Sequence, residues 1–113
     1  MKFKRKYIIA IDVGGTKVNI AFFLRDKLKK ILNFTTLKFG PDNIEKIISL
    51  LEPSKNEIKM IVISLTGKIE NDRWSPINKK MLGRFKNYPV IKKFKSKFKI
   101  SVFALGDTQA AAL

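Results

Sequence analysis

The 113-residue sequence contains no cysteine and no histidine. That removes disulfides, thiolate nucleophiles and any Cys/His zinc site within this chain. It also removes a Ser-His-Asp triad, so a general base here has to be a carboxylate or a lysine. Acidic residues are scarce as well: 9 Asp and Glu stand against 24 Lys and Arg, a formal net charge of +15. Such an excess raises the question of a polyanionic partner. Lysine far outnumbers arginine, however, and runs from end to end, whereas base reading and bidentate phosphate clamps favour arginine. No stretch interleaves aromatics with arginine as a single-strand platform would. The charge reads as a solvated, lysine-rich surface, with no specific nucleic acid as partner.

Long apolar runs are also missing. The basic flank ahead of Tyr7 looks like the start of a signal peptide, but Asp12 interrupts the apolar run that follows before it reaches the length of a secretory h-region. No segment approaches the ~20 apolar residues of a membrane span. The expectation is a cytoplasmic protein with no membrane partner. A hydrophobic content of 45% excludes a disordered chain and supports one small domain with a modest core.

What is present is concentrated first in residues 7–17, YIIAIDVGGTK. An apolar run meets a single carboxylate, Asp12, and then Gly14, Gly15, Thr16 and Lys17. Glycine permits positive φ and a close backbone approach, and free N–H groups, a hydroxyl and an ammonium suit phosphate oxygens. An ordinary β-hairpin accounts for GG between two apolar runs equally well.

Strands are expected at residues 7–13 and 18–24, antiparallel across the glycine turn, with Val18, Ile20 and Phe22 on one face. Arg25, Asp26 and Lys27 form a polar turn into a third strand over residues 30–39, completing a meander. Gly40 and Pro41 stop that strand. Asp42 and Glu45 then have the spacing of a capping box for a helix whose apolar stripe is Ile44, Ile47, Ile48 and Leu51, ended by Pro53. Residues 59–65 form a continuous apolar run, the pattern of a central parallel strand, and lead into Thr66 and Gly67. Residues 69–74 make a short β excursion around Asn71 and Asp72, and residues 75–89 read as an extended loop. Residues 90–98 form a helix with Ile91, Phe94 and Phe98 inward and its lysines in water. A last strand, 100–105, gives way to Gly106, Asp107, Thr108 and Gln109, and a helix begins at Ala110. Asp107 has the position of a helix N-cap as well as that of a carboxylate at a strand end. Ligands of open α/β sheets bind at the carboxyl ends of the strands, where Asp12, Ser64–Gly67 and Asp107 would all lie.

Neither a P-loop nor a GxGxxG fingerprint is present. Four segments in order instead resemble the ROK family of sugar kinases, in the actin-like (ribonuclease H-like) ATPase superfamily. IDVGGTK is similar to the family's first phosphate motif, DxGGTK. VISLTGKIE resembles its strand and glycine loop, WSPINKKMLGRF its sugar-contact loop, and LGDTQAAAL its catalytic stretch NDxxAAAxAE. The TG pair, SPIN and Gln109 are more similar to N-acetylmannosamine kinases than to glucokinase-like members.

The resemblance implies an α/β fold, the N-terminal domain of an actin-like ATPase with a βββαβαβ mixed sheet. It implies ATP and Mg²⁺ as cofactors and transfer of the γ-phosphoryl group to a sugar 6-hydroxyl, with sugar and ATP as small-molecule partners. By that resemblance, Gly14, Gly15, Thr16 and Lys17 hold the ATP phosphates and Asp12 lies near Mg²⁺ and its waters; no protein ligand to a metal is assigned. Thr66, Gly67 and Asn78 orient the sugar, and Asp107 takes the proton of its hydroxyl. Gly106 departs from the family, which has asparagine there. The resemblance covers the N-terminal portion of the family's usual length. Residues 1–113 are therefore expected to be an incomplete domain, inactive alone, with a homodimer or a separate C-terminal chain as candidate partners. A ROK-type repressor is disfavoured, since six residues before the first strand hold no DNA-reading module.

Overall fold

A computed structural model describes residues 5–76 and 82–106. Strands β1 (Tyr7–Val13), β2 (Lys17–Leu24) and β3 (Lys27–Thr35) form the expected antiparallel meander. Helix α1 (Gly40–Leu51) and a 3₁₀ turn (Glu52–Glu57) carry the chain to β4 (Ile58–Leu65), which pairs parallel with β1. Strands β5 (Lys68–Glu70) and β6 (Arg73–Ser75) make a separate hairpin. Helix α2 (Val90–Phe98) then leads to β7 (Ser101–Gly106), parallel to β4. The five-stranded sheet has the order β3-β2-β1-β4-β7.

Period-two alternation decides which face is buried. Ile9, Ile11 and Val13 of β1 share the core with Val18, Ile20 and Phe22 of β2 and Ile61, Ile63 and Leu65 of β4. The predicted stripe of α1 and the inward residues Ile91, Phe94 and Phe98 of α2 pack into the same cluster. Each such aliphatic or aromatic side chain contributes about 1.5–3 kcal/mol relative to exposure. Alternate positions of the sheet, including Ile8 at 36% and Phe103 at 55% exposure, lie on the opposite face. The turns follow their sequences. Arg25 and Asp26 have φ of 50° and 67°, and Asn71 and Asp72 have 53° and 62°, the paired positive values of tight hairpins.

Three local expectations change. The third strand runs over Lys27–Thr35, not 30–39, because pairing with β2 begins directly after the two-residue turn. Pro53 does not end α1; the α-helix stops at Leu51, and Pro53 sits in the first turn of the 3₁₀ segment, where a missing N–H costs nothing. The capping box is absent. Helix α1 starts three residues earlier than a helix capped by Asp42 would, with Phe39 at the N-cap, Pro41 in its first turn and no side-chain cap bond. Glu45 instead faces Tyr88 and Lys93.

Asn43, inside the first turn, makes the side-chain contacts at this junction. It is fully buried, and its Oδ1 accepts the Leu37 N–H at 2.7 Å while Nδ2 donates to the Leu37 and Gly40 carbonyls, each at 3.2 Å. It thereby ties the descending end of the meander to the start of α1. Asn43→Ala leaves the Leu37 N–H and carbonyl without these partners and should cost about 1–3 kcal/mol in urea denaturation. A loss within experimental error would show that water replaces the amide.

Candidate functional site

The sheet brings three strand ends level. Val13 of β1 is in register with Leu65 of β4, and Leu65 with Gly106 of β7. One position earlier, Asp12 lies between Asn19 of β2 and Ser64 of β4, and Ser64 is in register with Leu105. Because partners in register share a face, Asp12, Asn19 and Ser64 form a polar row at the carboxyl edge, on the face opposite the core. Asp12 is exposed, as are Thr16 and Lys17, while Gly14 and Gly15 are half-buried.

The glycine turn joins β1 to β2. The Gly14 N–H donates to the Lys17 carbonyl at 3.1 Å, and an ideal Cβ on Gly14 would sit 3.2 Å from that same oxygen. Among the hydrogen bonds of the described residues, the Gly15 and Thr16 amides donate to no protein acceptor. Two unengaged N–H groups beside a lysine and a hard carboxylate oxygen fit phosphate and a hydrated divalent cation. Sequence reasoning missed Thr36, which it had absorbed into the third strand. Its hydroxyl donates to the Gly14 carbonyl at 2.9 Å, and its amide to the Thr16 carbonyl at 3.0 Å. The signal was a β-branched hydroxyl residue just past a strand end.

Thr66 is half-buried and Gly67 buried. The Thr66 N–H and hydroxyl both donate to the Val13 carbonyl, at 3.2 and 3.0 Å, and the Thr66 carbonyl accepts the Trp74 indole N–H at 3.1 Å. Gly67 has φ of 135°, a conformation that favours glycine. Asn78 and Asp107 lie outside the described residues, so the structure aligns the strand leading to Asp107 but not Asp107 itself. A cleft of about 710 Å³ lies beside the β5–β6 hairpin, lined by Lys68, Glu70, Ser75, Pro76, Arg84 and Phe85 among others. It adjoins the glycine loop through Ser75, and no residue of the phosphate-type turn lines it.

With this geometry in place, residues 8–113 match the ROK family. The chain belongs to the ROK family. It is 32% identical over 108 residues to an N-acetylmannosamine kinase of Salmonella paratyphi B, covering 92% of this chain and 37% of that relative. The chain therefore spans little more than a third of the length of such relatives. A ROK family glucokinase from Streptomyces griseus, solved with glucose and AMPPNP, superposes with a TM-score of 0.72 at 16% identity, over 94% of this chain and 35% of that one. A ROK family transcriptional regulator superposes with a TM-score of 0.73 at 15% identity, over 94% of this chain and 29% of the regulator. The fold is thus that of the actin-like ROK sugar kinases, as the four segments implied, and it is shared by kinases and regulators alike.

Gly106, where the resemblance implied asparagine, is tightly packed. An ideal Cβ on Gly106 would collide with the Gly67 carbonyl, and one on Gly67 would collide with the Ser75 carbonyl and approach the Trp74 Nε1 to 2.9 Å. The end of β7, the TG loop and β6 are stacked backbone on backbone. Gly106→Asn should displace the TG loop, strip the Trp74–Thr66 hydrogen bond and shift the emission of the single tryptophan; an unchanged spectrum would show that β7 yields instead.

Beneath the loop, Trp74 is fully buried, with Phe85 at a centroid distance of 4.7 Å and Tyr88 at 6.4 Å. The Tyr88 hydroxyl donates to Glu45 at 3.5 Å. Burial, followed by the Glu45 charge and hydrogen bond, pushes the Tyr88 phenol from 10.0 up to about 12. A raised folded pKa favours the neutral phenol in the fold, so its contribution is complete below about pH 10 and is lost as pH rises towards 12. Urea titrations of wild type and Tyr88→Phe across that window should show a steeper loss for wild type. Parallel curves would mean the phenol titrates alike in both states.

Proposed function

We propose that this chain is the N-terminal part of an ATP-dependent sugar kinase that phosphorylates a 6-hydroxyl, with N-acetylmannosamine as the sugar. The observation that carries the reading is the level alignment of Val13, Leu65 and Gly106, which sets Asp12, the TG loop and the approach to Asp107 on one edge. The 32% identity to a Salmonella N-acetylmannosamine kinase supports that sugar over glucose. Residues 1–113 are then part of an actin-like domain whose remaining sugar and adenine contacts lie outside these residues.

In this reading Gly14, Gly15, Thr16 and Lys17 bind the ATP phosphates, with the unengaged Gly15 and Thr16 amides as donors. Asp12, in the polar row it shares with Asn19 and Ser64, would lie near Mg²⁺ and its waters. Bound Mg²⁺ supplies charge neutralisation for the transferring phosphoryl group. Thr66, Gly67 and Asn78 orient the sugar, and Asp107 holds the proton released from its 6-hydroxyl. A chain of this kind works in the cytoplasm. Catalysis would rest on positioning and charge, since phosphoryl transfer asks little covalent chemistry of the protein.

A second reading, a ROK relic that binds ligand without turnover, is favoured by the Gly106–Gly67 packing, which leaves no room for a side chain at position 106. ADP release by a chimera, residues 1–113 joined to the rest of the Streptomyces griseus glucokinase, separates the two. The kinase reading expects turnover, a preference shifted towards N-acetylmannosamine relative to the parent, and a loss of about 10²–10⁴-fold in kcat for Asp107→Asn. A folded chimera that binds ATP without turnover would support the relic. A loss of only a few-fold for Asp107→Asn would leave Asp107 as a helix cap.

A further inference from the structure

The glycine turn cannot orient itself. Gly14 and Gly15 are the residues with the least conformational preference, so the direction of their peptide planes has to be imposed from outside. Two threonines outside the DVGGTK motif impose it, one from each side. In a trans peptide the C=O and the following N–H point in opposite directions. With the Gly14 carbonyl held by the Thr36 hydroxyl at 2.9 Å, the Gly15 N–H is turned away from Thr36. The Thr16 carbonyl is held by the Thr36 N–H at 3.0 Å, which fixes the plane on the far side of the Gly15–Thr16 peptide. On the opposite side, the Val13 carbonyl takes both the N–H and the hydroxyl of Thr66, at 3.2 and 3.0 Å. That plane in turn delivers the Gly14 N–H to the Lys17 carbonyl at 3.1 Å.

The carbonyls of Val13, Gly14 and Thr16 are thus tied to protein donors, while the amides of Gly15 and Thr16 donate to no protein acceptor among the described residues. We propose that Thr36 and Thr66 are the positioning residues of the phosphate-type turn, pulling its carbonyls inward so that the Gly15 amide is left directed at a polyphosphate, with the unengaged Thr16 amide beside it. Thr66, read from the sequence as a sugar-side residue, then serves both half-sites. Its carbonyl holds Trp74 of the hairpin, and its hydroxyl and amide hold the phosphate strand. Neither threonine touches the ligand through its side chain in this arrangement. The inference rests on the phosphate reading of the turn.

The test uses the 113-residue chain with Thr36→Val and Thr66→Val, each beside its serine counterpart, which keeps the hydroxyl. Two readouts are needed. Hydrogen exchange of the Gly14 amide, corrected for global stability by urea denaturation, requires no ligand. Losing one hydroxyl bond should speed it about five- to tenfold in either valine variant, with serine restoring the wild-type rate. Calorimetric titration with inorganic tripolyphosphate should show affinity weakened by about the same factor in the valine variants and restored by serine. Unchanged Gly14 exchange in the valine variants overturns the clamp, whatever the binding data show. Altered exchange with wild-type affinity in all variants also overturns it, since the amides would then not need aiming. Wild-type protein that fails to bind tripolyphosphate, with exchange behaving as expected, would sink the phosphate reading and leave a structural clamp in its place.

Discussion

The parallel pairing of β1 with β4 and of β4 with β7 holds the rest of the structure in place. Side chains alternate with a period of two, so a slip of one residue would send Asp12 into the core and Val13 into water. An unpaired carboxylate buried among isoleucines is costly enough to exclude that register. The register is fixed by the hydrophobic side chains of Ile9, Ile11 and Val13 against Ile61, Ile63 and Leu65 in the core. The polar row Asn19, Asp12 and Ser64 is therefore a consequence of core packing, and no separate interaction has to place it.

The same pairing explains why the two halves of the edge communicate through backbone. Thr66 follows β4 immediately, which puts its amide next to the end of β1, and its hydroxyl finds the same Val13 carbonyl. Trp74 closes the other side by donating to the Thr66 carbonyl, and it is itself immobilised by Phe85 and Tyr88. A rigid aromatic cluster under a loop is an economical support, because aromatic rings bury much area for little rotamer entropy. The loop's geometry then depends on residues far along the chain, at positions 74, 85 and 88.

Much of this was legible in the sequence where one residue type has one physical explanation. The apolar runs of β1 and β4, the stripe of α1 and the lysine-faced α2 follow from periodicity alone. Asp12, the glycine turn, and the Thr66–Gly67 loop also fall where the sequence put them, at the carboxyl edge. What was not legible depended on contacts between distant residues. Asp42 looks like a cap by spacing, but Pro41 is better used inside the first turn, which moves the helix start back, leaves the helix without a side-chain cap and puts buried Asn43 where it ties Leu37 to the helix start. Thr36 looked like one more β-branched strand residue, and only the fold reveals that the strand has ended and its hydroxyl meets Gly14. The sugar-binding assignment of Asn78 and the catalytic assignment of Asp107 stay sequence readings, since both lie outside the described residues.

Gly106, where the resemblance implied asparagine, has to be read together with its neighbours. Taken alone, glycine for asparagine is the loss of one polar side chain beside the proposed base. In the structure the missing Cβ is what lets the Gly67 carbonyl sit where it does, and Gly67 in turn lacks a Cβ where the Ser75 carbonyl lies. The two glycines are therefore one feature: restoring a side chain at position 106 requires moving the loop, and moving the loop disturbs the Thr66 contacts to Val13 and Trp74. Contacting substitutions of this kind are not additive. An asparagine at position 106 would consequently act on the glycine turn as well as on the TG loop, through Thr66, which joins them.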